Sequence, residues 1–163
     1  MFTICKLLVP FDGTDTARAA VSLALQLAHA HAAELHMLTV LPRLDKVMKK
    51  RLTTKPHGTA VERAIRDNEG ALEAAVRVEL DRARDAGHSW GHPRLFTHVS
   101  GGSWRIAVQN LVEEREIDVI VVGTHGRQGL VEAFWGTETE EWVRNSPCSV
   151  LVVKAQGYPY LRD

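Results

Sequence analysis

The sequence predicts an α/β domain: an open, parallel, five-stranded sheet with helices on both faces. Short apolar runs of strand length, closed by Pro, Gly, Asp or Ser, alternate with stretches of helical period. The run Ile117 to Val122 (IDVIVV) also lacks the regular in–out alternation of a half-exposed strand, as expected where helices cover both faces of a parallel sheet. Such alternation implies right-handed crossovers. The 163 residues contain no internal repeat and no interdomain linker, so 1–155 is read as one domain and 156–163 as a C-terminal tail.

Each element has its own signal. Ile4 to Pro10 (ICKLLVP) is an apolar run ended by Pro, followed by Asp12-Gly13-Thr14-Asp15, where Thr14 or Asp15 is placed to cap a helix. From Thr16 to His31, Val21, Ala24, Leu25 and Ala28 recur at i, i+3, i+4, i+7, and the many alanines let that helix lie close to a sheet. Glu34 to Leu41 is the second strand, ended by Pro42. Residues 43–59 break the pattern; Arg43 to Lys55 holds six basic residues and one acid, and reads as a mobile basic connection. A long helix from about Val61 to Ala86 follows, with Leu72, Val76, Leu80 and Ala83 as its buried stripe and Gly87 as its stop. Leu95 to Ser100 is the third strand. Gly101-Gly102-Ser103 opens a helix that places Trp104, Ala107, Val108, Leu111 and Val112 on one face. After the fourth strand comes a glycine-rich loop from Gly123 to Gly136, then a helix from Thr137 to about Asn145, and a last strand from Cys148 to Lys154.

Composition narrows function by exclusion. Twenty Lys+Arg balance twenty Asp+Glu, which gives no global pull toward nucleic acid or an anionic membrane. The apolar runs are too short for a membrane span, and the N-terminus lacks a signal-peptide pattern, so the expected location is cytoplasmic. Cys5 and Cys148 form no CxxC and read as two buried thiols within strands. The eight histidines show no ligand spacing such as HExxH; His29 and His31 lie two apart on a helix and face different ways, and His88 and His92 sit in a loop. No GxSxG nucleophile elbow occurs, so fast turnover is not expected.

Ligands of open parallel sheets bind at the carboxyl ends of the strands, where strand order reverses. Three segments gather there: Pro10 to Gly13, Gly101 to Ser103, and the loop Gly123 to Thr137. Glycines allow positive φ and let backbone N–H groups approach a ligand, though a turn and a helix start account for them equally. Gly136-Thr137 begins a helix whose free N–H groups favour phosphate, and the Thr137 hydroxyl can bond a phosphate oxygen or cap the helix. Neither GxxxxGK[ST] nor GxGxxG after the first strand is present.

The spacing Gly123, Gly126, then Gly136-Thr137 resembles the G-2x-G-9x-G-(S/T) motif of the ATP-binding branch of the universal stress protein family. Val9 to Asp15 (VPFDGTD), Val119 to Arg127 (VIVVGTHGR) and Asn145 to Val153 (NSPCSVLVV) resemble three further blocks of that family, in order along nearly the whole chain. The resemblance implies a nucleotide-dependent stress-response sensor that binds ATP, or ADP or AMP, with Mg²⁺. Carried over by position, Asp12 reaches the ribose hydroxyls or a phosphate-bound Mg²⁺, the Val40 backbone contacts the adenine, and Pro10 forms a wall. Gly123, Gly126 and Arg127 wrap the phosphates from one side, and Gly136, Thr137 and Thr139 from the other. His125 donates to a phosphate or packs the loop; Arg127 is otherwise a surface arginine and Asp12 a turn-former or helix cap. The family carries a small apolar residue after its G-(S/T) pair, where this chain has Glu138, an acid that competes with phosphate for the helix field.

The last strand, Val150 to Val153, is apolar and expected at a sheet edge, which predicts a homodimer paired through it. The basic loop is read as a solvated linker, a lid over the nucleotide or a dock for an acidic partner. Two alternative functions remain: a dimeric interaction module that binds no nucleotide and acts through an unidentified protein partner, and a slow hydrolase of the related adenine-nucleotide α-hydrolase-like group.

Overall fold

The computed structural model describes residues 3–41, 58–124 and 136–154, with the backbone alone at 58–60 and 136–139. In chain order the elements are β1 (Lys6–Pro10), α1 (Asp15–His31), β2 (Glu34–Leu41), α2 (Gly58–Asp85), β3 (Arg94–Gly101), α3 (Trp104–Arg115), β4 (Val119–Thr124), α4 (Gly136–Asn145) and β5 (Ser149–Lys154). The five strands form one parallel sheet in the order β3-β2-β1-β4-β5, the fold class expected from the sequence. The chain winds outward from β1 to β3, then returns to the other side of β1 for β4. Strand order therefore reverses between β1 and β4, and the crevice of such a sheet opens there.

Local chemistry sets the helix ends. The Thr14 hydroxyl accepts from the Ala17 amide at 3.2 Å and caps α1, which ends at Ala32 in the left-handed region (φ 52°). Ser103 caps α3 by accepting from Ile106 N. Gly87, at φ 84°, follows α2 where the sequence places its stop. α2 begins at Gly58, inside the stretch read as a connection, while residues 42–57 lie outside the described residues.

Two cores sandwich the sheet. Leu7 and Val9 of β1, with Leu35 and Met37 of β2, pack against Ala20, Val21 and Ala24 of α1 and Leu72, Val76 and Leu80 of α2. On the other face Leu8, Leu38, Ile120 and Val122 pack against Trp104, Val108 and Leu111 of α3 and Trp142 of α4. β1 lies at the centre, and Leu7, Leu8 and Val9 are fully buried. The helical stripes read from the sequence are the buried ones. At the amino ends of the strands, Asp118 Oδ2 accepts from the amides of Cys5 (2.7 Å) and Lys6 (2.8 Å), tying the entry of β1 to β4.

The cysteines differ from expectation. β1 starts at Lys6 and β5 at Ser149, so each thiol precedes its strand; Cys5 is exposed at the sheet entrance, and Cys148 is half-buried. Burial raises the Cys148 thiol pKa against a hydrogen bond from Ser146 that lowers it. Among the described residues no helix is long and apolar enough to cross a membrane.

Candidate functional site

The ladder registers bring the predicted ligand residues of three strands to one level. Pro10 pairs with Leu38 and Leu8 with Ile120, so extending both registers sets Asp12 level with Val40 and with Thr124. Pro10 is buried as the last residue of β1. The Val40 side chain packs into the core on the α3 face, leaving its backbone at the strand end. Asp12 is exposed, and its Oδ1 accepts from the Thr14 amide (3.0 Å) and hydroxyl (2.6 Å). This turn presents Gly13 at φ 85° and leads straight into the α1 cap. Asp12 is thus a turn-former, and Oδ2 is the oxygen left for a ligand.

Gly123 has a packing role that its sequence context did not reveal. A Cβ there would overlap the Thr16 carbonyl and sit 2.9 Å from the Ala17 amide. The missing side chain lets the first turn of α1 lie directly on the end of β4. That turn, with its Ala17 amide held by the Thr14 hydroxyl, consequently lies beside the ends of β1 and β4. α4 starts at Gly136, so the predicted helix start is in place; the side chains of Thr137, Glu138 and Thr139, and all of His125, Gly126 and Arg127, lie outside the described residues.

A cleft of about 190 Å³ opens beside the Asp12 turn, lined by Phe11, Asp12, Gly13, Thr39, Asn68, Ala71 and Leu72. Phe11, Ala71 and Leu72 are the apolar part of that lining, Thr39 and Asn68 its neutral polar side chains, and Asp12 its one charged side chain among the described residues. A wider groove of about 860 Å³ runs along α1 and the end of α2, past Arg18, Gln26, Arg82 and Trp90. That groove is an open channel of mixed charge along a helix flank, and the smaller cleft is the one at the ends of β1 and β2. Thr39 and Asn68 escaped the sequence reading, yet Asn68 carries a signal: it stands four residues before Leu72, a polar residue on a buried stripe.

Two histidines outside the crevice also escaped it. His36 on β2 is 3% exposed and stacks between Phe96 and His98 of the neighbouring β3. Its Nδ1 is 3.0 Å from His98 Nε2, and its Nε2 is 3.4 Å from Glu34, which also pairs with Arg94 at 3.1 Å. Burial holds His36 below its ordinary pKa, outweighing Glu34, so the Glu34 contact is a hydrogen bond from a neutral ring. His98 is pushed down to about 4, first by burial and then by His36 and Arg115. With His36 Nε2–H turned to Glu34, His98 Nε2–H is the donor to His36 Nδ1. Sequence alone could not pair residues 62 apart. No group of three His, Cys, Asp or Glu suited to a metal ion occurs among the described residues.

Residues 4–154 match the model of the universal stress protein family. The chain is 26% identical over 149 residues to universal stress protein MJ0531 of Methanocaldococcus jannaschii, covering 91% of this chain and 81% of that one. Among solved structures, universal stress protein UspA of Lactobacillus plantarum superposes with a TM-score of 0.57 at 26% identity, covering 93% of this chain and 98% of that one. A universal stress protein solved in complex with cAMP superposes at 0.59 with 23% identity, covering 94% and 99%.

Two outcomes follow from this geometry. Gly123→Ala forces α1 away from β4, and a thermal melt should read a loss of about 1–3 kcal/mol, roughly 3–9 °C; a melt unchanged within 1 °C would mean that the contact is relaxed without cost. The histidine pair makes stability pH-dependent. Between pH 6.5 and about 4 the unfolded chain binds protons that the folded imidazoles refuse, so stability is present at neutral pH, falls as pH drops through that window, and levels off below it. Between pH 7 and 4.5 the wild type should lose roughly 3–6 °C more than His98→Phe, which keeps the stack and removes the titration. Equal losses would show that the pair does not control acid stability.

Proposed function

The chain belongs to the universal stress protein family, and on that premise we propose that it binds an adenine nucleotide at the carboxyl ends of β1, β2 and β4 and serves as a nucleotide-dependent regulator. One observation carries the reading: Asp12 and the close-packed α1–Gly123 junction meet at the reversal of strand order, and beside them, toward the end of β2, opens a cleft with Phe11, Ala71 and Leu72 in its lining. A structural relative in complex with cAMP supports an adenine ligand. In this reading the base enters the cleft, with the Val40 backbone at its edge and Pro10 beneath. The phosphates lie toward the N-terminal turn of α1, between Gly123, His125, Gly126 and Arg127 on one side and Gly136, Thr137 and Thr139 on the other. Among the described residues the cleft's lining has a carboxylate and no cation, which favours the uncharged end of a nucleotide there and its phosphates elsewhere.

A divalent ion fits the donor set. Mg²⁺ needs one or two carboxylate oxygens beside phosphate and water, and the exposed Asp12 offers Oδ2 while Oδ1 holds the turn. Bound there, Mg²⁺ would neutralise phosphate charge. The Asp12 carboxylate would orient it, and the Thr14 hydroxyl would keep that carboxylate in place. β5 is an outer strand with Leu151 and Val152 exposed, and in this proposal it pairs with its twin across a two-fold axis.

Calorimetric titration of Mg²⁺-ATP into protein stripped of nucleotide tests the reading. Saturable binding is expected, and Asp12→Asn, which keeps the turn's acceptor oxygen, should weaken Mg²⁺-ATP about tenfold while changing metal-free ATP little. Absence of heat and of thermal stabilisation at millimolar ATP would refute it and leave the dimeric interaction module. Light scattering at micromolar concentration reads the assembly: twice the chain mass is expected, and a monomer contradicts pairing through β5.

A further inference from the structure

Asn68 stands where α2 crosses the ends of β1 and β2. It is half-buried, on the wall of the cleft formed with Phe11, Thr39 and Leu72. One N–H of its carboxamide donates to the carbonyl of Ala64, one turn earlier, at 2.8 Å. That bond uses one of the two amide hydrogens and leaves Oδ1 as an acceptor and the second N–H as a donor. An asparagine presenting this pair matches the edge of a 6-aminopurine, where an exocyclic N–H donor stands next to the ring N7 acceptor. A 6-oxopurine offers two acceptors at the same positions, so Oδ1 would face a carbonyl oxygen with no proton between them.

We propose that Asn68 is a specificity-determining residue, reading the amino edge of the purine and selecting a 6-amino over a 6-oxo base. The proposal deepens the nucleotide reading above and rests on it. Neither Asp12 nor the Thr39 hydroxyl can supply the same discrimination. Asp12 spends one oxygen on its turn and stands beside the α1 cap, and a hydroxyl donates or accepts with equal ease. Phe11, Ala71 and Leu72 in the same lining offer the ring apolar contact while the amide chooses its edge.

The test titrates wild type, Asn68→Leu and Thr39→Val with Mg²⁺-ATP and with Mg²⁺-ITP, which differ at the purine 6-position. Leucine keeps the volume of asparagine, and a thermal melt checks that each variant is folded. Wild type should prefer ATP by about tenfold or more. Asn68→Leu should weaken ATP about tenfold and leave ITP unchanged, so that the preference collapses, whereas Thr39→Val should retain it. A wild type that binds both nucleotides equally overturns the proposal and leaves the nucleotide reading standing, and needs no variant to do so. A preference that survives Asn68→Leu also overturns it, assigning the selection to the backbone at the strand ends. A wild type that binds neither nucleotide refutes the nucleotide reading itself, and this proposal with it.

Discussion

At the end of β4 the backbone of Gly123 lies against the carbonyl of Thr16, with no room for even a methyl group between them. Much of the upper end of the molecule follows from that contact. It lowers α1 onto the sheet and sets the helix's first turn over the gap between β1 and β4, while the small faces of Ala17, Ala20 and Ala24 continue the close approach along the helix. The Asp12 turn then has to deliver the chain from the end of β1 into a helix that starts almost on top of it, which the Asp12–Thr14 hydrogen bonds and a glycine at φ 85° make possible. The crevice at the strand reversal is therefore a by-product of tight helix-on-sheet packing, and the residues that shape it are held by the core.

The same economy explains why some of the site was legible in the sequence and some was not. Strands and helical stripes announce themselves locally, because a buried face imposes its period on consecutive residues; Leu72, Val76, Leu80 and Ala83 of α2 and Trp104 to Val112 of α3 were readable for that reason. The order of glycines could point to a loop and a helix start, but it could not separate a glycine that approaches a ligand from one that accommodates a helix. Gly123 accommodates a helix, a role that its place in the glycine spacing did not announce. Thr39 and the His36–His98 pair depend on register between elements tens of residues apart, which no local pattern encodes, and Asn68 left only its polar break in a buried stripe. Cys5 failed in a simpler way, since an apolar run does not state at which residue the ladder begins, and here it begins one residue later.

Charge is distributed with the same separation of tasks. The His36–His98 stack sets a buried ring against a half-buried one between β2 and β3, with Glu34 and Arg94 at its rim, and burial with Arg115 and Lys6 opposes a positive charge there. At the other end of β2 the polar side chains lining the cleft are, among the described residues, Asp12, a hydroxyl and a carboxamide. A flat, uncharged ring suits that lining, and an anionic group suits the helix N-terminus next to it. A nucleotide is a molecule that has both ends.

The central claim is that the ends of β1, β2 and β4 act together as one nucleotide site. Backbone amide chemical shifts, followed by NMR as Mg²⁺-ATP is added, test it most directly. The account predicts that saturable shifts concentrate at Phe11 to Thr16, Val40, Asn68 and Gly123 to Thr124, with β3 and the amino ends of the strands unmoved. Shifts confined to the groove along α1 and the end of α2, around Gln26, Arg82 and Trp90, or spread along the outer edge of β5, would contradict it and move the site elsewhere on the molecule.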